Sequence, residues 1–141
     1  MAYSELPDLL IQISEKDLVG LTDDANTGTI NKDTVTATTV KADAIIDSFM
    51  AAKYSVPLSP VPTITTHQSV IITLQLLYAR RSGSPEHIET LYKNTMMFLK
   101  AISEGTITLG DGDPDGDRTD DVTPEFALTD RLLTRAKMNG F

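Results

Sequence analysis

The clearest fold signal is the stretch from residue 84 to residue 105, which reads SPEHIETLYKNTMMFLKAISEG. Ser84 and Pro85 are residue types favoured at the start of a helix, and Gly105 is favoured directly after its end. Between them, apolar side chains recur every three or four residues, which is the spacing of one helix face. The stretch therefore predicts an amphipathic helix with Ser84 as N-cap and Pro85 at its first position.

The sequence before this helix predicts further helices. Apolar spacing and start signals mark four segments: residues 6–13, residues 15–21 with Ser14 and Asp17 as a capping box, residues 33–54 with Asp33 as N-cap, and residues 66–81. The β-branched content of the last segment makes a strand the competing interpretation, although its length favours a helix. Residues 106–109 predict a short strand. The fold class is accordingly mainly α, a small helical bundle.

A proline-rich connection separates two of these helices. It runs from Tyr54 to Pro62 and reads YSVPLSPVP, with prolines at 57, 60 and 62. Proline fixes φ, removes a backbone donor and disfavours helix at the preceding residue. The segment therefore predicts an ordered, extended connection.

The charge is distributed unevenly over the 141 residues. The formal net charge is −8, of which residues 1–110 contribute −4, residues 111–125 contribute −6 and residues 126–141 contribute +2. We interpret these ranges as a helical domain (1–110), an acidic loop (111–125) and a C-terminal docking segment (126–141). A chain this acidic is unsuited to gripping phosphate backbones, which requires clustered Lys and Arg.

Several classes of function have no support in the sequence. The chain has no Cys, which excludes disulfides and cysteine nucleophiles, and it has no Gly-x-Ser-x-Gly elbow. His67 and His87 are isolated and are expected to be packing or surface residues. The longest apolar stretch, residues 70–79, is far shorter than the ~20 residues of a membrane span. We expect a protein that is not an enzyme and has no membrane segment.

The acidic loop is the best candidate for an ion site. Asp111, Asp113 and Asp115 are followed by Gly116, as in the first half of an EF-hand loop, but the twelfth position is Val122. Calcium binding centred on residues 111–121 is therefore the alternative function, beside a solvated acidic linker.

Two other polar features have structural interpretations. The loop from Asp23 to Ile30 has a similar outline to the acidic loop, but Ala25 and Thr27 stand at ligand positions, so a structural turn is expected there. Arg80 and Arg81 are interpreted as complementing a helix C-terminus, with contact to an acidic partner as the alternative.

The C-terminal segment combines apolar and basic side chains. We predict that it orders on a partner, while a terminal helix packed on its own domain remains the alternative. The predicted partner-binding residues are Phe126, Leu128, Leu132, Leu133, Arg135, Lys137, Met138 and Phe141.

Four separated segments form a further pattern: Leu18-Val-Gly-Leu-Thr-Asp23 with Gly28-Thr-Ile30, Tyr54-Ser-Val-Pro-Leu-Ser-Pro-Val-Pro62, residues 92–110 ending Ile-Ser-Glu-Gly-Thr-Ile-Thr-Leu-Gly, and the tail from Thr134 to Phe141. Together they resemble the Mu-like bacteriophage head–tail connector (head-completion) family. The proline-rich signature is the most specific of them. Family members often carry a fuller Asp-x-Asp-x-Asp-Gly in the first loop, from which Ala25 and Thr27 depart.

The resemblance implies a structural virion protein of the phage neck, present in the host cytoplasm during assembly. It would form a homo-oligomeric ring of about twelve copies beneath the portal, extend the DNA channel and join head to tail or neck proteins. In similar connectors a C-terminal segment docks into the portal. DNA would pass through the channel without specific binding.

Overall fold

The computed structural model describes residues 2–81 and 83–109. Over these residues the chain forms five helices and no strand: α1 (Leu6–Gln12), α2 (Glu15–Thr22), α3 (Lys32–Met50), α4 (Thr63–Arg81) and α5 (Glu86–Ser103). The predicted helical bundle is confirmed. None of these helices is long and apolar enough to cross a membrane.

Helices α3, α4 and α5 pack against one another and form the body of the bundle. One buried cluster joins their apolar faces to the start of the chain and to the proline-rich connection, and it comprises Tyr3, Ala42, Ile46, Met50, Tyr54, Leu58, Ile72, Leu99 and Ile102. A second cluster adds α1 and α2 to the bundle and comprises Leu9, Leu18, Leu21, Val35, Val70, Leu74, Leu77 and Ile88. The two short helices are therefore held by burial on the longer ones.

Helix α3 begins earlier than predicted. Asn31 is the N-cap, and its side chain accepts a hydrogen bond from the backbone N–H of Thr34 at 3.1 Å, so Asp33 lies inside the first turn. Asn and Asp are about equally favoured at the N-cap, so residue type alone did not distinguish Asn31 from Asp33. The regular helix ends at Met50, but the Met50 carbonyl still accepts from the N–H groups of Lys53 and Tyr54, so a turn continues to the predicted end.

The connection before α4 forms neither helix nor strand, as predicted, and it bends at residues 56–57 and 59–60, where the Val56–Pro57 and Ser59–Pro60 peptide bonds are cis. Its Leu58 is completely buried. Helix α4 begins at Thr63 rather than Thr66, because the Pro62 carbonyl already accepts from Thr65 and Thr66. The helix interpretation of this segment, and not the strand, is confirmed.

Two predictions near α5 were wrong. Pro85 is the N-cap, and Ser84 lies one residue outside, because the Pro85 carbonyl accepts the first helical hydrogen bonds from Ile88 and Glu89. Residues 106–109 are not a strand: the N–H groups of Thr106 and Ile107 turn back onto the Ala101 carbonyl and so close the helix end. Gly105 makes this reversal at a φ of +79°, as its predicted stop role requires.

Candidate functional site: the N-terminal anchor and the adjoining groove

Most of the residues that the sequence singled out lie outside the described part of the chain. This holds for the predicted ion ligands Asp111, Asp113 and Asp115, and for the docking residues Phe126, Leu128, Leu132, Leu133, Arg135, Lys137, Met138 and Phe141. Both sets, together with the boundaries at 110 and 125, stay predictions.

The loop from Asp23 to Ile30 is a structural turn, as expected. The Asp23 carboxylate accepts hydrogen bonds from the backbone N–H groups of Thr27 at 2.9 Å and Gly28 at 2.7 Å. These bonds hold the pKa of Asp23 below its usual value. Because the carboxylate oxygens are engaged by the loop's own backbone, the loop uses Asp23 to fix its shape.

The paired arginines at the end of α4 close the same loop onto the bundle. Arg80 forms an ion pair with the Asp24 carboxylate, and Arg81 contacts the same carboxylate at 2.9 Å. Arg81 also donates to the Asp23 carbonyl at 2.7 Å, and Arg80 to the Leu21 carbonyl at 3.3 Å. The acidic partner of these bases is thus a residue of the same chain.

The two histidines are exposed, as a surface role predicts. His67 borders a shallow crevice between α1 and α4, and His87 lies in the first turn of α5. Over residues 2–81 and 83–109, no group of three His, Asp or Glu side chains is placed to hold a metal ion.

The most developed polar network of the described chain fixes its first residues to α3. The backbone N–H of Tyr3 donates to Asp43 at 3.0 Å, and the Tyr3 phenol donates to Asp47. The phenol oxygen in turn accepts from the backbone N–H of Leu58 at 2.9 Å. Burial, and then the bond to Asp47, raise the pKa of Tyr3 to about 12. Tyr3 therefore joins α3 to the proline-rich connection.

Asp43 extends this network to α4. It is only 7% exposed and accepts from the Ser69 hydroxyl at 2.7 Å, while the hydroxyls of Ser69 and Ser4 share a hydrogen bond of 2.8 Å. Burial raises the pKa of Asp43 despite these bonds. We call Tyr3, Ser4, Asp43, Asp47 and Ser69 the N-terminal anchor.

An apolar groove of about 300 Å³ lies beside the anchor, between the first residues of the chain and the first half of α3. Its floor includes the buried side chains of Val35 and Thr39, and Val40 on its wall is 59% exposed. The full lining is Ala2, Ser4, Glu5, Leu6, Pro7, Lys32, Val35, Thr36, Thr39 and Val40. We call it the N-terminal groove.

Exposed apolar side chains concentrate around α1. Leu10 and Ile11 project from α1 itself, and Ile11 is 85% exposed. Val40 stands on the neighbouring part of α3, and Ile64 lies at the start of α4 next to the crevice that Ile11 borders. We call the adjacent pair Leu10 and Ile11 on α1 the α1 face. Exposed apolar side chains that adjoin one another are candidates for contact with other proteins.

The N-terminal anchor was not predicted from the sequence. A signal was present in α3, where Asp43 stands between the apolar positions Ala42 and Ile46, and Asp47 follows one turn later. A carboxylate on the buried face of a helix requires donors to offset its desolvation. The donor Tyr3 lies 40 residues away from Asp43, so sequence spacing could not identify it.

The described residues define a small all-helical protein whose surface offers an apolar groove and an apolar face, features suited to binding other proteins. Comparison with known families is more specific: residues 3–127 match the family model described as Bacteriophage Mu, Gp36, and the chain belongs to this family. The bacteriophage part of the resemblance is thereby confirmed.

Two individual relatives are proteins of phage Mu and of a Mu-like prophage. The chain is 30% identical over 64 residues to "Gene product J" of Escherichia phage Mu, a match that covers 45% of this chain and 44% of the relative. It is also 30% identical over 74 residues to "Mu-like prophage FluMu protein gp36" of Haemophilus influenzae, which covers 52% and 51%. The chain thus spans about half the length of the curated relatives it matches.

Proposed function

We propose that this protein is a non-enzymatic head–tail connector of the virion, which forms a ring beneath the portal, extends the DNA channel and joins head to tail. The observation that carries the proposal is the match of residues 3–127 to a bacteriophage Mu family, together with an all-helical body. The connector role itself comes from the resemblance of the proline-rich signature and the tail.

The described body suits assembly into a closed ring. A ring repeats one head-to-tail contact between two different patches of each copy, so each copy needs exposed complementary surfaces. The α1 face supplies exposed apolar side chains, of which Ile11 is 85% exposed. Leu9, which is completely buried, fixes α1 on the bundle, so these side chains are presented on a firmly packed element.

The C-terminal segment is the proposed portal-binding element. Its apolar side chains would supply buried contact area, and its net charge of +2 would direct it toward an acidic surface. The acidic loop before it has a net charge of −6, and repulsion among its carboxylates would keep the loop itself extended.

The net negative charge of the chain suits the wall of a channel through which DNA moves. Phosphates are repelled by carboxylates, so a channel lined by acidic residues offers no strong contact along the DNA. The body contributes −4 and the acidic loop −6 to the net charge. DNA would therefore pass without specific binding.

Assembly with purified portal protein tests the proposal. The full chain should sediment with the portal, whereas a chain ending at Glu125 should remain free and keep its helical circular dichroism, because α1 to α5 end at Ser103. The matched control replaces Arg131 with Ala and leaves the eight predicted docking residues intact, and it should still bind. Equal binding of the full and shortened chains would reject the docking role.

A further inference from the structure

The N-terminal groove has no occupant among the described residues, although most of its exposed lining surface is apolar. Pro7 and the buried Val35 line it, and Val40 leaves much of its side chain exposed. A groove of this kind accepts a short segment carrying spaced apolar anchors. The 32 residues that follow Leu109 contain one such segment, in which Leu128 and Leu132 are four residues apart.

The point at which the chain leaves the described body lies within reach of this groove. The backbone N–H of Leu109 donates to the Tyr54 phenol at 3.1 Å, and Tyr54 belongs to the same buried cluster as Tyr3. Val40 precedes the end of α3 at Met50 by ten residues, or about 15 Å along the helix. Random-coil statistics give a chain of about 16 residues a root-mean-square span of roughly 20–24 Å, and repulsion between like charges lengthens such a chain.

We propose that residues 126–141 occupy the N-terminal groove of their own chain before assembly, with Leu128 and Leu132 against Val35 and Val40. The groove is then an interaction surface for the docking segment, and it shields the segment's apolar side chains until a stronger partner takes them. This last consequence, release to the portal, rests on the proposed connector function, whereas occupancy of the groove does not.

Occupancy by the same chain is favoured over occupancy by a second copy. A segment joined by a linker whose span matches the separation experiences an effective concentration in the millimolar range. A second copy in a micromolar solution presents its segment at roughly a thousandth of that concentration. In the free protein, the C-terminal segment of the same chain should therefore occupy the groove.

Disulfide trapping in the full-length chain tests the proposal, because the natural sequence contains no Cys. The variant carrying Val40→Cys and Leu132→Cys should form an intramolecular disulfide under mild oxidation and migrate as a compact monomer. The matched control carries Met97→Cys and Leu132→Cys; Met97 is exposed on α5, away from the groove. We expect the control to cross-link much more slowly.

Three results would overturn the proposal. Equal trapping by the two variants would mean that the segment contacts the surface without selectivity. Trapping as a dimer would assign the groove to a second copy, and an absence of trapping in both variants would leave the groove unoccupied. None of these results bears on portal binding, so the failure of this proposal and that of the connector function are distinguishable.

A second measurement does not depend on new cysteines. Val40→Glu places a charge on the groove wall, where it would be buried without a partner, and this should speed tryptic cleavage after Arg131, Arg135 and Lys137 about tenfold. Met97→Glu is the control and should leave the cleavage rate unchanged. An unchanged rate in the Val40→Glu variant would contradict occupancy.

Discussion

The phenol of Tyr3 donates a hydrogen bond to the carboxylate of Asp47, and its oxygen also accepts from the backbone N–H of Leu58. A single side chain near the beginning of the sequence therefore links the long helix α3 to the proline-rich connection that follows it. The same residue fixes the position of Ser4, and so of one wall of the N-terminal groove. The geometry of the groove depends on this link.

Removing the phenol oxygen should loosen the link. Tyr3→Phe keeps the ring in the core but leaves the buried N–H of Leu58 without an acceptor, so we expect a loss of about 1–3 kcal/mol in the free energy of unfolding. Urea denaturation measures it. Tyr78→Phe is the matched control, since no hydrogen bond of the Tyr78 phenol is found within the described residues, and it should change stability by less than about 0.5 kcal/mol. Equal effects would contradict the role assigned to Tyr3.

Asp43→Asn should destabilise the protein less than Asp43→Ala. Asp43→Ala removes the acceptors of the Tyr3 N–H and the Ser69 hydroxyl. Because both buried donors are then unpaired, the free energy of unfolding should fall by about 2 kcal/mol or more. Asp43→Asn keeps an oxygen for Tyr3 and supplies an N–H₂ group that can donate to Ser69. Thermal unfolding compares the two variants, and equal destabilisation would show that the hydrogen bonds contribute little.

The same residue predicts a pH dependence. Burial raises the pKa of folded Asp43 above its unfolded value of about 3.9, so the folded state holds the proton more tightly. The favourable contribution is fully present below that unfolded pKa and is lost as pH rises through the folded pKa. The unfolding free energy of the natural protein minus that of Asp43→Asn should therefore fall between about pH 3 and neutrality. A difference that rises over this range would refute the assignment.

The ion pairs at the end of α4 should contribute little to stability. Asp24 and both arginines are substantially exposed, and exposed ion pairs contribute about 0–1 kcal/mol. Asp24→Asn should lower the unfolding free energy by less than about 1 kcal/mol, and the difference should shrink in about 1 M salt. A larger loss that salt does not reduce would mean that the carboxylate has a role beyond its charge.

The α1 face should affect assembly and not folding. Ile11→Glu alters a side chain that is 85% exposed, so its unfolding free energy should stay within about 0.5 kcal/mol of the natural protein. Oligomers seen by sedimentation velocity, alone or with portal protein, should weaken, because a charge would enter an apolar contact. Lys93→Glu on α5 is an exposed control. If oligomers of both variants match the natural protein, the α1 face is not a contact between copies.

The local sequence predicted the helices better than it predicted the residues at which they begin. Apolar spacing located α1 to α5, and Ser14 acts as the predicted cap of α2, accepting from the Asp17 N–H at 3.2 Å. The predicted starts of three helices were wrong by one to three residues. In each case a proline or two favoured N-cap residues, such as Asn31 and Asp33, lie close together. Boundaries of this kind depend on which of two similar hydrogen bonds forms, which spacing does not encode.

The anchor and the groove depend on long-range pairing and could not be predicted in this way. Tyr3 meets Asp43 and Leu58 only after α3 and the proline-rich connection have folded back, because 40 and 55 residues separate the partners. Val40 looks like an ordinary helix residue until the first residues of the chain lie beside it. The charge pattern, in contrast, is a property of sequence alone, and the division into body, acidic loop and C-terminal segment that it predicts lies beyond residue 109, outside the described residues.

Cryo-electron microscopy of the tailed particle decides whether the protein is a head–tail connector. We expect a ring of this chain between portal and tail, with about twelve copies around the DNA channel and residues 126–141 in contact with the portal. A particle whose neck contains no copy of the chain, or one that carries it elsewhere in the virion, would contradict the connector function.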